Sequence, residues 1–191
     1  MAKIRFLETK EILERLPKEE AAKHCYFTVK FIVNRGVTHE LVRHRIASFC
    51  QESTRYVNYK KKGIIFIVPP QLQYMLGQGG TAEYLDLDES FDVNAPAAAT
   101  WLKSLFRIEK DYNQLLRLGW KPEEARDILP NALKAEIVVT ANMREWRHIF
   151  KMRFSKAAHP QMKEIMQPLI KEVKSKLEVI FDDIEDELHE S

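Results

Sequence analysis

Tyr26-Phe27-Thr28-Val29-Lys30-Phe31-Ile32-Val33-Asn34-Arg35-Gly36 is the stretch on which the fold turns. Tyr26, Thr28 and Lys30 alternate with Phe27, Val29, Phe31 and Val33, the period of two that sends neighbouring side chains to opposite faces of a strand. The strand is expected to end at the turn Asn34-Arg-Gly36. Downstream, Thr38 is placed to N-cap a helix running through Leu41, Val42, Ile46 and Phe49. Val57 to Gly63 reads as a loop and Ile64 to Val68 as a second strand. Gly77 to Gly80 and the acidic residues after it read as an exposed loop.

Further on, Ala95 to Leu118 is expected to be a helix, with Pro96 in its first turn and Gly119 at its end. Pro122 to Ile128 is a short helix closed before Pro130. Ala135 to Thr140, with its β-branched run Ile137-Val-Val-Thr140, is a strand. Met143 to Phe154 is helical, and Pro160 to about Leu188 is a longer helix that Pro168 is expected to kink. Upstream, the apolar spacing of Met1 to Leu16 predicts an amphipathic helix stopped by Pro17. The strands are few and only some are separated by helices. The fold class is therefore α+β: a single domain over residues 1–191, with a small, mostly antiparallel sheet flanked by helices.

Composition narrows the function. The 191 residues are 45% hydrophobic and 30% charged, a globular balance that rules out wholesale disorder. No apolar run approaches the ~20 residues of a membrane span. The opening Met1-Ala-Lys-Ile-Arg-Phe-Leu-Glu8 turns charged too early for a signal-peptide core, so a cytoplasmic protein is expected. Cys25 and Cys50 exclude a disulfide scaffold and have no CxxC spacing. His39-Glu40…His44 places its histidines five apart, about 140° round a helix, which is not the one-face geometry of a zinc motif. No metal is expected. Gly77-Gln-Gly-Gly80 has neither the GxGxxG nor the Walker spacing, so a bound nucleotide must be held by side chains.

Charge is segregated behind a net value of +2. Between Asn34 and Lys62 seven Lys/Arg face two acids, and between Met143 and Lys156 five face one, whereas the last eleven residues hold six acids and no Lys or Arg. Two basic segments far apart in sequence are arranged as they would be around an anion. Arg43-His44-Arg45 is the sharpest part. On a helix its two arginines point to opposite sides, which suits two ligands or two subunits meeting there. Guanidinium groups fork onto phosphate and stack on flat rings, and Ser53 and Arg55 add a hydroxyl and another fork. In the second segment Arg144 and His148 share a helix face while Arg153 emerges about half a turn away. Exposed basic helices, or contacts to nucleic acid, are the plainer account of the same charges.

Read together, these residues resemble the flavin-dependent thymidylate synthases, the ThyX family. The family signature is Arg-His-Arg followed after seven residues by Ser, and Arg43-His44-Arg45 is so followed by Ser53. Thr38-His-Glu-Leu-Val42, Thr54-Arg55-Tyr56, Ala125-Arg-Asp-Ile-Leu-Pro130 and Thr140-Ala-Asn-Met-Arg-Glu-Trp-Arg-His148 with Met152-Arg153 resemble its flanking and downstream elements. The resemblance runs from about residue 24 to 168. It departs at Gln51, where the family often has Glu, and at Leu16 to His24, which lacks the family's Gly-His-Glu-Ser/Thr-like stretch.

The resemblance implies reductive methylation of dUMP to dTMP, with methylenetetrahydrofolate as carbon donor, FAD as redox carrier and NADPH as reductant. It implies a homotetramer with sites shared between subunits. Arg43, His44, Arg45, Asn142, Met143, Arg144 and His148 would hold FAD, and Gln51 would lie between flavin and nucleotide. Glu40, Leu41, Val42, Arg43, Glu52, Ser53, Thr54, Arg55 and Arg126 would line the dUMP site. Arg153 would sit at the uracil and favour its N3-deprotonated, enolate-like form. A pyrimidine-nucleotide hydroxymethylase on the same scaffold is the nearest alternative. A basic nucleic-acid-binding module is the alternative of another class, and the acidic tail and the net charge count against it.

Overall fold

The structure is a computed structural model and describes residues 5, 7–55, 59, 63–72 and 96–185. The element order is α1 (Thr9–Arg15), α2 (Lys18–His24), β1 (Tyr26–Asn34), α3 (Arg35–Leu41), β2 (Ala47–Gln51), α4 (Pro96–Arg117), α5 (Pro122–Ala125), a 3-10 turn (Arg126–Ile128), β3 (Lys134–Asn142), α6 (Met143–Arg153) and α7 (Pro160–Phe181). The three strands form one antiparallel sheet in the order β1-β3-β2, and the α+β class stands. In β3 the alternate residues Ala135, Ile137, Val139 and Ala141 are buried. β1 is exposed at Tyr26, Thr28, Lys30 and Ile32, as period two requires.

By compactness the chain falls into two units. One comprises Met1–Phe31, Glu40–Cys50 and Val138–Ser191, the other Ile32–His39 and Gln51–Ile137. In the first, α2, α6 and α7 pack on one another. Its centre is Trp146, whose ring stacks on Phe27 with centroids 4.8 Å apart and whose indole N–H donates to the Phe27 carbonyl at 3.1 Å. In the second, Tyr59, Tyr112, Ala125 and Leu133 form the buried cluster. There α4 ends as its glycine predicts. Gly119, at φ +96, lets the Gly119 and Trp120 N–H groups turn back to the Leu116 and Leu115 carbonyls.

Several sequence expectations are corrected. The first helix begins only at Thr9, with Arg5, Leu7 and Glu8 outside it. Pro17 ends α1 and also opens α2, which the sequence reading missed. Its signal was there: Glu19 and Glu20 in the first turn and Lys23 and His24 in the last complement the helix dipole.

Thr38 caps nothing. Asn34 accepts the Val37 N–H at 2.8 Å and starts α3, while the Thr38 hydroxyl donates back to the Arg35 carbonyl. The helix stops at Leu41, and Ala47–Gln51 is strand β2. Pairing in the sheet overrode a helix-like apolar spacing that was only local. Arg43, His44 and Arg45 therefore lie on a turn, where the His44 N–H bonds the Leu41 carbonyl at 3.1 Å.

The expected Ile64–Val68 strand is a single antiparallel bridge between Phe66 and Leu133. The expected kink at Pro168 is displaced: backbone geometry leaves the helix at Leu177, beyond which the Phe181 ring turns edge-on to Phe27 and Phe150. The loop assigned to Gly77–Gly80 and the acidic stretch after it lie outside the described residues.

Candidate active site

The short turn after α3 and the helix α6 supply the charged centre of the first unit. Asn142 caps α6, accepting the Glu145 N–H at 2.8 Å, and its amide donates to the Lys23 carbonyl of α2 at 3.2 Å. The Met143 N–H adds a bond to the Cys25 carbonyl at 2.8 Å. The first turn of α6 is thus pinned in place, and Glu145 points its carboxylate at His44. Both residues are buried. At the other end of the helix, Arg153 donates through Nε to His44 Nε2 at 3.0 Å. Its Nη1 donates to Glu40 Oε2 and its Nη2 to the Glu40 carbonyl oxygen, each at 2.9 Å. A guanidinium has five N–H donors in a fixed plane. Three are engaged, so its orientation is set and the remaining donors stay available.

Partner chemistry assigns the tautomer of His44. Arginine can only donate, so His44 Nε2 must carry a lone pair, and the proton sits on Nδ1, 3.3 Å from Glu145 Oε1. His44 is held neutral. Burial pushes its pKa down from the ordinary 6.5, Arg153 and the nearby His148 push the same way, and Glu145 opposes them. A depressed pKa contributes stability that is complete above the unfolded value and is lost as pH falls through the folded one. On acidification from about pH 7, wild-type protein is therefore expected to lose more of its unfolding temperature than a His44→Asn variant. Parallel pH profiles of the two melting temperatures would remove His44 as the titrating group.

His44, Glu145 and His148 bring three ligand-type atoms within 4.8 Å of one another. The hydrogen bonding favours an imidazole relay over a cation there. A metal on Nδ1 would take the place of the proton there and leave Nε2 as an N–H facing the Arg153 donor, beside a full positive charge. Around this centre Arg43, Arg45 and Arg144 are exposed, and no carboxylate among the described residues pairs with them. His148 is also exposed and meets the His44 ring edge-on, with centroids 5.6 Å apart. Such a donor set, neutralised by no described carboxylate, is suited to an anionic ligand with several oxygens.

In the second unit the chain after β2 is ordered by polar contacts of its own. Gln51 Nε2 donates to Thr38 Oγ1 at 2.9 Å. Ser53 Oγ accepts the Arg55 N–H at 3.3 Å, a hydroxyl-closed turn. Arg126 reaches the buried Thr54 hydroxyl at 3.3 Å and is held by the Glu123 carbonyl at 3.1 Å. Lys134 bridges Glu136 at 2.6 Å and Glu52 at 3.7 Å.

The family model for the thymidylate synthase complementing protein matches residues 8–178. The chain belongs to that family. Flavin-dependent thymidylate synthases resemble it at 31% identity over 162 residues for Pyrococcus abyssi, covering 84% of this chain and 59% of the relative. For Mycobacterium tuberculosis the identity is 34% over 172 residues, covering 87% and 63%. The chain thus spans about three-fifths of the length of these relatives. A crystal structure of the ThyX enzyme from Helicobacter pylori with FAD and dUMP superposes with a TM-score of 0.64 at 22% identity, covering 87% of this chain and 76% of that one. That likeness speaks for the fold.

Within this ThyX-family chain, the expected site residues divide between the units. Glu40, Leu41, Val42, Arg43, His44, Arg45, Asn142, Met143, Arg144, His148 and Arg153 belong to the first, and Gln51, Glu52, Ser53, Thr54, Arg55 and Arg126 to the second. In the first, Glu40, His44 and Arg153 are bonded together, whereas the Leu41 and Met143 side chains are core. The buried partner that sequence reasoning missed is Glu145. Its signal was the spacing Asn142-x-x-Glu145, a cap followed three residues later by Glu, which marks an anchored carboxylate in a helix's first turn.

Proposed function

We propose that this chain catalyses the reductive methylation of dUMP to dTMP, with methylenetetrahydrofolate as carbon donor and NADPH as reductant. The observation that carries the proposal is the Arg153 guanidinium, held through three donors by His44 and Glu40, at the position where the ThyX resemblance sets the uracil. A fixed positive charge beside a pyrimidine stabilises the N3-deprotonated, enolate-like form without reorganising at the moment of reaction. The ring carbon becomes a better nucleophile, and no cysteine adduct is needed. Cys25, whose thiol burial pushes up in pKa, and the exposed Cys50 have no part in it.

FAD fits the exposed arginines of the first unit, which pair with no described carboxylate. Arg43, Arg45, Arg144 and His148 would hold its diphosphate and ring, with His44, Asn142 and Met143 shaping the seat behind them. Bound there, FAD supplies the redox chemistry, and the protein supplies position and field. Ser53, Thr54, Arg55 and Arg126, with Glu52, would receive the dUMP phosphate and sugar, and Gln51 would stand between nucleotide and flavin. Val42 would face the nucleotide, whereas Leu41, whose side chain is wholly buried, would contribute only its backbone.

A homotetramer with sites shared between subunits is part of the same proposal. Tyr26, Ile32 and Ile46, each more than half exposed, are apolar groups that assembly would cover. The chain acts as a single domain in the cytoplasm, without nucleic acid or membrane. No described helix is long and apolar enough to cross a bilayer.

Incubation with dUMP, methylenetetrahydrofolate, NADPH and FAD is expected to yield dTMP from a yellow protein with a flavin spectrum. A 5-hydroxymethyl product, or a colourless protein that takes up no flavin, would overturn the proposal.

A further inference from the structure

We propose that Glu145 is a positioning residue that fixes the tautomer of His44 and, through it, the aim of the Arg153 guanidinium. Hydrogen-bond direction requires this role. Arg153 Nε–H needs an acceptor, and His44 provides one at Nε2 only while its proton stays on Nδ1. The group that makes Nδ1 the protonated nitrogen is the Glu145 carboxylate at 3.3 Å. The contact is long for an N–H···O bond. Both partners are nevertheless almost wholly withdrawn from water, with side-chain exposures of 5% and 9%, so no solvent competes for the proton. A buried carboxylate on a histidine N–H sets tautomer and ring orientation in the same way in carboxylate–imidazole pairs elsewhere.

The relay has a rigid origin and a directed end. Glu145 leaves the capped first turn of α6, which Asn142 ties to the Lys23 carbonyl. Arg153 closes the last turn of the same helix, and Glu40 of α3 takes its other two engaged nitrogens. Both ends of the relay thus belong to one short helix, with His44 bridging its length. The charged and titratable groups facing His44 are Glu145, His148 and Arg153, all from α6. With the proton moved to Nε2, two donors would face each other and Arg153 would turn about its Glu40 contacts alone.

The tautomer assignment stands on geometry, and its consequence for turnover rests on the function proposed above. Both are tested on the full chain labelled with 15N at histidine, using long-range 1H–15N correlation spectra in which His44 is identified by its loss in His44→Asn. Wild type is expected to show His44 as the Nδ1–H tautomer. Glu145→Gln, whose carbonyl still accepts from Nδ1, should keep that tautomer. Glu145→Leu should populate the Nε2–H form and lower kcat for dTMP formation by about tenfold or more, with flavin content and dUMP KM close to wild type. Turnover should be largely restored in Glu145→Gln.

A wild-type spectrum showing Nε2–H overturns the proposal, and it needs no variant to fold. Glu145→Leu that keeps the Nδ1–H form alone, or that changes tautomer with unchanged kcat, overturns it equally. If wild type makes no dTMP, the proposed function fails, and the tautomer shift in Glu145→Leu still decides whether Glu145 governs His44.

Discussion

Arg153→Ala is expected to lower dTMP formation by about a hundred- to a thousandfold, the cost typical of losing one preorganised charge at a developing anion, while flavin remains bound. The separation follows from geometry. The cations assigned to flavin, Arg43, Arg45 and Arg144, have no hydrogen bond to Arg153, whose engaged donors go to His44 and Glu40. Truncation leaves Glu40, a carboxylate with 35% side-chain exposure, to be solvated, so the fold should survive. Arg153→Lys is the sharper variant. It keeps the charge but cannot satisfy His44 and both Glu40 oxygens at once, because an ammonium lacks the planar fork. It is expected to recover little of the rate. Flavin absorbance and single-turnover dTMP yield, measured on both variants, check the assignment. An apoprotein from Arg153→Ala, or near-normal turnover in Arg153→Lys, would contradict it.

Trp146→Ala is expected to cost about 3–5 kcal/mol of stability, a large share of the ~5–15 kcal/mol that holds a typical domain. The side chain is fully buried. It stacks face to face on Phe27, lies against Phe31 and Phe150, and bonds the Phe27 carbonyl, so truncation opens a cavity and also removes a donor from that carbonyl. Trp146→Phe keeps most of the ring and loses the N–H bond, a deficit of about 1 kcal/mol. Urea unfolding followed by far-UV circular dichroism measures both without relying on tryptophan emission. A Trp146→Ala midpoint close to wild type would mean that Phe27 and Phe150 close the space between them.

The elements that the sequence made legible are those with a local cause. Alternating burial in Tyr26–Asn34 and Lys134–Asn142, Pro96 and Gly119 bracketing α4, and Pro122 opening α5 all act within a few residues. The basic motif was legible as chemistry and illegible as structure. Its helical assignment followed the spacing of Leu41, Val42, Ile46 and Phe49, yet β2 pairs with β3, more than eighty residues later in the chain. Arg43 and Arg45 therefore owe no divergence to a helix, although both side chains are exposed, now on a turn. Glu145 was visible as a carboxylate three residues after its cap Asn142, but not as the partner of His44.

Composition, spacing and the ordered motifs were enough to indicate the class of fold and the family, and to single out the cations proposed to meet an anionic ligand. Where the proton on His44 resides and how the Arg153 plane is turned were decided only when the chain closed on itself. His44 has its partners 101 and 109 residues away, and hydrogen-bond direction depends on which atoms meet, which no local periodicity encodes.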